Sequence, residues 1–176
     1  VKVAGALRPE RAFWCWVSVY TSARAGEVHG LRWSDLDVGA RRLHIRGTKS
    51  AGSDRWVAVP QELWDMLMAR PAHQPEDPMV KRWEAPDRSK TLARVCKKLG
   101  LAHLTAHDLR RTYGSWLAQK GASILAVAKL MGHDDSRVTE KTYSHLAQEH
   151  LDASARLLDT VKDTGSGTLY EDAKEP

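Results

Sequence analysis

At 176 residues with 42% hydrophobic content, the chain can bury one substantial core and gives no reason to split into two large domains. It carries no apolar run of membrane-spanning length and no secretory pattern in its first nine residues, and two cysteines, Cys15 and Cys96, make neither a disulfide framework nor a metal motif. The net charge is +5, and because the tail 163–176 sets Asp163, Glu171, Asp172 and Glu175 against Lys174 alone, the rest is more basic still and suits a polyanion partner. These features describe a soluble intracellular protein, and a start at Val1 rather than Met is expected of a piece of something longer.

In chain order, Pro9 to Tyr20 forms a first helix: Pro9 suits the first turn, and Phe13, Trp16, Val17 and Tyr20 recur at three- and four-residue spacing. Thr21-Ser-Ala-Arg24-Ala-Gly-Glu27-Val28 follows, with Thr21 and Ser22 able to cap a short second helix that turns Val28, Leu31 and Trp33 inward. Arg24 and Glu27, three apart, then share a face. From Asp35 the apolar period shortens to two. Asp37-Val-Gly-Ala is a turn, Arg41 to Arg46 and Arg55 to Val59 are strands, and residues 47–54 form a small polar hairpin loop that carries Lys49.

Gln61 to Arg70 returns to helical spacing, with Leu63, Trp64, Leu67 and Met68 as its stripe. Pro71, Pro75, Pro78 and Pro86 interrupt the next segment, which is either a loop inside the domain or a crossing between subdomains. Ser89 to Leu99 is a basic helix closed by Gly100. Thr105 and Asp108 have the form of a capping box, which places His107 and Arg110 in the first turns of a further helix. Ser123 to Met131 is apolar along one side and ends at Gly132, directly before His133. Tyr143 lies in a third helix of this group, and Leu146, Leu151, Leu157, Leu158 and Val161 give the last helical stretch an apolar edge. The fold class is therefore α+β, mostly helical, with a small antiparallel sheet of three strands.

The chemistry concentrates between Leu104 and His145. Free backbone N–H groups and the positive dipole end gather at a helix start, where His107 and Arg110 can face a phosphate. A planar guanidinium fork matches two non-bridging oxygens, and arginines from distant segments, Arg24 and Arg110, make a natural clamp. A lysine on a mobile loop can protonate a leaving 5′ oxygen, and a phenol helped by neighbouring base and cation can attack.

In this order and spacing the blocks resemble the catalytic domain of the tyrosine recombinases, or phage integrases, from about Arg11 to about Leu157. Thr21-Ser-Ala-Arg24-Ala-Gly-Glu27-Val-His-Gly-Leu-Arg-Trp-Ser-Asp-Leu-Asp37 is similar to the block around the family's first arginine, with Ser22 where a glycine is common. Gly47-Thr-Lys49-Ser with Arg55-Trp-Val-Ala-Val-Pro60 resembles the lysine hairpin, and Lys90, Lys97 and Lys98 are other lysines that could reach a site. Thr105-Ala-His107-Asp-Leu-Arg110-Arg-Thr112, Leu130-Met-Gly-His133 and Thr142-Tyr143-Ser-His145 resemble the remaining blocks.

The resemblance implies that Arg24 and Arg110 hold the scissile phosphate, Lys49 is the general acid, His107 assists proton transfer, His133 donates to the phosphate and Tyr143 forms a 3′-phosphotyrosyl bond. Glu27 supports Arg24 without entering the chemistry. Neither metal nor other cofactor is implied: His107 and His133 lack a third ligand at suitable spacing. The resemblance further implies the recombinase catalytic-domain fold over residues 1–162, with the family's preceding DNA-clasping domain absent, while the tail 163–176, rich in Gly, Thr and acid, is expected from its composition to be disordered. It implies double-stranded DNA as partner, self-association on DNA as dimer or tetramer, no membrane, a cytoplasmic bacterial or phage-encoded setting, and feeble, salt-sensitive DNA binding by this piece alone. Two other readings share part of the pattern: a type IB topoisomerase, which uses similar phosphate chemistry, and a non-catalytic helix-turn-helix regulator built on residues 122–142.

Overall fold

A computed structural model of the chain describes residues 2–47, 53–71 and 73–147. After a short helix α1 (Lys2–Gly5) comes α2 (Pro9–Thr21), with proline in its first turn as its fixed φ favours. Residues Ala25–Gly30 form α3, and a single 3-10 turn, Trp33–Asp35, leads into the sheet. Three strands, β1 (Leu36–Asp37), β2 (Arg42–Ile45) and β3 (Arg55–Ala58), pair antiparallel in chain order, as expected. The register sets Leu36 opposite Leu43 and Leu43 opposite Val57, so one face is apolar.

Five helices complete the described chain: α4 (Gln61–Met68), α5 (Ala85–Lys98), α6 (Ala106–Gln119), α7 (Ile124–Met131) and α8 (Ser136–Ala147). The helix α1 was not expected, α4 stops at Met68 rather than Arg70, and two further differences have a clear local reason. Pro86 lies inside the first turn of α5 rather than in the preceding loop, because a proline there loses no hydrogen bond. Thr21 and Ser22 do not cap α3. Thr21 stays in α2, its hydroxyl donating to the Val17 carbonyl at 2.7 Å, while Ser22 ends α2 in the left-handed region at φ 57°. Arg24 stands at the start of α3, and Glu27 reaches back to accept from its backbone N–H at 2.8 Å.

Two apolar clusters form. The larger gathers α2, α3, the inner face of the sheet and α4, with Trp14, Val17, Leu43, Ile45 and Leu63 inaccessible to solvent. Residues 79–83 pack onto it: Met79, Val80 and Trp83 are buried, and the Met79 N–H donates to the Leu31 carbonyl at 2.9 Å. The smaller cluster joins Ala118 of α6, Val127 and Met131 of α7 and Tyr143 of α8. Both cysteines are buried free thiols, and burial pushes Cys15 up to about 12, which keeps it an inert core residue. No helix among the described residues is long and apolar enough to cross a membrane. The expected tail over 163–176 and the apolar edge beyond Ala147 lie outside the described residues.

Candidate active site

The seam between the two clusters is polar, and arginines bridge it. Arg110 sits one turn into α6, whose start is fixed by the predicted capping box: Thr105 Oγ1 accepts from the Asp108 N–H at 3.3 Å, and Asp108 accepts from the Thr105 N–H at 2.9 Å. The Arg110 side chain is 2% exposed. One Nη donates to the Ser22 carbonyl at the end of α2, the other to the Met131 carbonyl at the end of α7. Burial, then the charges of Arg24 and Arg55, push it down to about 10, so it stays cationic at neutral pH.

Arg24 approaches from α3. Its guanidinium pairs with Glu27 at 2.8 Å and keeps about a third of its surface exposed, at 32%. Arg24, Ala25, Ala106, His107 and Arg110 line one open pocket of about 210 Å³. Two arginines expected to act together thus reach a common pocket from segments more than eighty residues apart in the chain. His107 stands at its exposed rim, on the first turn of α6. On the other side of Arg24, a larger pocket of about 430 Å³ runs along Gly26 and Gly30 to Asp35 and Arg46.

Gly132 closes α7 in the left-handed conformation, at φ 67°, which a glycine adopts without the clash a Cβ would bring. That turn places His133 at the seam, with Nδ1 2.7 Å from the hydroxyl of Thr139, a buried residue of α8. Burial, then Arg110, Arg24 and Arg55 and more weakly His107, push His133 down to about 4. A neutral imidazole among cations can donate one N–H without adding charge.

Tyr143 belongs to the smaller cluster and is 3% exposed. Its ring lies over Gly114 of α6, where a Cβ would fall 2.6 Å from Cζ. The hydroxyl donates to the Arg111 carbonyl at 3.3 Å, a long contact for an O–H donor, so packing more than hydrogen bonding holds the phenol. Burial raises its pKa, opposed by Arg111 and Arg110. The phenol is therefore near Arg110 yet docked and protonated.

Lys49 lies outside the described residues. Of the other expected residues, Arg24, His107 and Arg110 line one pocket, Glu27 pairs with Arg24, His133 lies close enough to these arginines to feel their charge, and Tyr143 sits in the smaller cluster away from the pocket lining. Two neighbours were not singled out from the sequence. Arg55 carried a signal, since in a period-two strand it shares the inward face with Val57 and Val59, where a cation is unusual. Thr139 carried none, because its role depends on how α8 packs. Among the described residues no group of three or more His, Cys, Asp or Glu could hold a metal ion.

The phage integrase family model matches residues 8–150. The integrase of Staphylococcus phage L54a is 27% identical over 169 residues, covering 76% of this chain and 47% of that protein. The catalytic domain of bacteriophage HP1 integrase superposes with a TM-score of 0.69 at 20% identity, covering 93% of this chain and 94% of that one. The Tn1549 transposon integrase, in complex with transposon right end DNA, superposes with a TM-score of 0.66 at 19% identity, covering 86% of this chain and 59% of that one. The chain spans about half the length of the L54a relative, 47%.

Proposed function

The chain belongs to the phage integrase family, and from that premise we propose that it cuts and rejoins double-stranded DNA at specific sites through a covalent 3′-phosphotyrosyl intermediate. The observation that best supports this reading is an open pocket shared by Arg24, His107 and Arg110, with His133 and Tyr143 close enough to Arg110 to feel its charge. A phosphodiester entering it meets two guanidiniums that stabilise the charge gathering on its non-bridging oxygens. The Tyr143 oxygen bonds to phosphorus as the bond to the 5′ oxygen breaks. The phenolic proton passes to a base, for which His107 at the rim is the candidate, and the leaving 5′ oxygen takes a proton from Lys49. His133 donates an N–H to the phosphate. For that N–H to be the one on Nε2, the Thr139 hydroxyl 2.7 Å from Nδ1 must act as the donor of the pair.

A second strand's 5′-hydroxyl reverses the first step on the phosphotyrosyl bond, which conserves the energy of the cut, so rejoining needs no ATP. In the conformation described, the phenol must first leave its place over Gly114. Self-association on DNA as a dimer or tetramer fits pairwise strand exchange and is part of the same proposal.

The test is covalent capture. Protein is incubated with fragmented DNA of its source genome, denatured, and the DNA that remains attached is sequenced. The expected result is attachment at a small set of related sequences, lost in Tyr143→Phe. Attachment scattered without sequence preference would favour a topoisomerase, and an absence of adduct from the unmodified protein would refute strand cleavage altogether.

A further inference from the structure

Arg55 enters the seam from β3, on the face that otherwise sends Val57 and Val59 into the larger core. A cation in that position costs desolvation, and its donors must find partners. They find them in three separate segments. Nε donates to the Leu130 carbonyl near the end of α7 at 2.9 Å, Nη1 to the Ser53 carbonyl at 2.9 Å, and Nη2 to the Ser22 carbonyl at 3.3 Å. Nη1 also lies 3.6 Å from Glu27, the carboxylate that holds Arg24.

Arg110 uses the same two corners, donating to the Ser22 carbonyl and to Met131, the residue after Leu130. Two guanidiniums thus tie the Ser22 corner to the end of α7. Arg110 lines the pocket with Arg24 and His107, whereas Arg55 is not among the pocket's lining residues and shares with Arg110 the Ser22 carbonyl.

From this geometry we infer that Arg55 is a positioning residue for strand cleavage: its fork fixes the Ser22 corner, Glu27 and the end of α7, and so holds Arg24, Arg110 and His133 in the arrangement a phosphate requires. The inference rests on the recombinase reading for its chemistry and on the described contacts for its geometry. A lysine keeps the charge but cannot span three carbonyls from one rigid plane. Methionine keeps the apolar volume and neither charge nor donors. Either change loosens the anchors without removing a group that touches DNA.

Two measurements decide it, with Arg55→Lys and Arg55→Met in the full chain. The first needs no DNA. His133 faces Arg110 and His107 of α6, Arg24 at the start of α3 and Arg55 of β3, with Thr139 of α8 against Nδ1. Because the Arg55 charge also lowers His133 directly, the deciding variant is Arg55→Lys, which keeps that charge and loses only the fork: the NMR titration midpoint of His133 is expected to rise in it as the anchors loosen. An unchanged midpoint in a folded variant would overturn the inference.

The second uses a nicked duplex carrying a captured attachment site, with either a normal scissile phosphate or one bearing a methyl group in place of a non-bridging oxygen. Both variants are expected to lose about 100-fold in single-turnover cleavage, the scale of a small misplacement of reacting groups, with DNA affinity within about threefold of the unmodified protein. The deficit is expected to shrink by about tenfold on the neutral phosphate, which asks less of the clamp. A normal rate in Arg55→Lys would show that charge alone matters. An equal deficit on both phosphates, or one that tracks the unfolded fraction, would reduce Arg55 to a stability role. Either result overturns the inference. Should the unmodified protein give no Tyr143-dependent adduct, the recombinase reading fails instead, and the His133 titration still decides whether Arg55 holds the end of α7.

Discussion

Tyr143 of α8 occupies the notch left by the missing side chain of Gly114 on α6: a Cβ at Gly114 would lie 2.6 Å from the phenol Cζ and 2.8 Å from its oxygen. The same Cβ would lie 2.7 Å from the Met131 sulfur, so the notch belongs to all three helices of the smaller cluster. Gly114→Ala is expected to cost about 1–3 kcal/mol, as overpacking of a buried contact does, and to bring the phenol's raised pKa down toward that of an exposed tyrosine. Denaturant unfolding gives the first quantity and the ultraviolet titration of Tyr143 the second. An alanine variant as stable as the parent would mean that the phenol does not rest there.

Ser22 holds φ at 57° in a fully buried corner, and its hydroxyl finds no hydrogen-bond partner among the described residues. Left-handed backbone costs a residue with a Cβ roughly 1–2 kcal/mol, and a glycine there gives back part of that through its freer unfolded chain. Ser22→Gly is therefore expected to stabilise by about 1 kcal/mol, because it also removes the orphaned hydroxyl. The carbonyl that receives Arg110 and Arg55 is unchanged by the substitution. Thermal melting of the two proteins decides the sign, and a lower melting temperature for the glycine variant would contradict this account of the corner.

His133 sets an acid limit. Its pKa falls from 6.5 to about 4 on folding, through burial and then Arg110, Arg24 and Arg55. Between those values the unfolded chain binds a proton that the folded chain refuses, so the contribution to stability is complete above about pH 6.5 and declines as pH falls toward 4. Folding lowers His29 as well, through burial and then Arg88, and it adds a slope of the same sign. Melting temperature followed from pH 7 to pH 4 should fall less steeply in His133→Gln than in the parent. Parallel curves would assign the slope to other groups.

Thr139 holds the other side of that imidazole at 2.7 Å. Replacing it with valine keeps its shape and removes the hydroxyl. Thr139→Val is expected to slow single-turnover cleavage about 10- to 100-fold, the scale on which loss of a group orienting a functional imidazole is felt, while Tyr143 remains docked and DNA affinity is preserved. Restoration by Thr139→Ser, which returns the hydroxyl, separates orientation from packing. A valine variant that cleaves at the parent's rate would remove Thr139 from the proposal.

What could be read from the chain alone was what neighbours in sequence decide. The Thr105–Asp108 box, Pro9 at the start of α2, Gly132 at the end of α7 and the alternation along β2 and β3 each rest on interactions within a turn or a strand. The order of the arginine, histidine and tyrosine blocks was likewise written in the sequence, and from it came the expectation of one shared anion pocket. Pro86 and the Thr21–Ser22 corner were misassigned because each position admits two local solutions, and contacts with the rest of the core selected one.

Only the tertiary structure could decide that Arg55 shares the anchors of Arg110, that Thr139 meets His133, and that Tyr143 rests over Gly114 instead of facing the pocket. Those contacts join residues as far apart as Ser22 and Arg110, 88 positions along the chain. Their geometry depends on how two apolar clusters close against each other, and no local periodicity encodes the seam they leave.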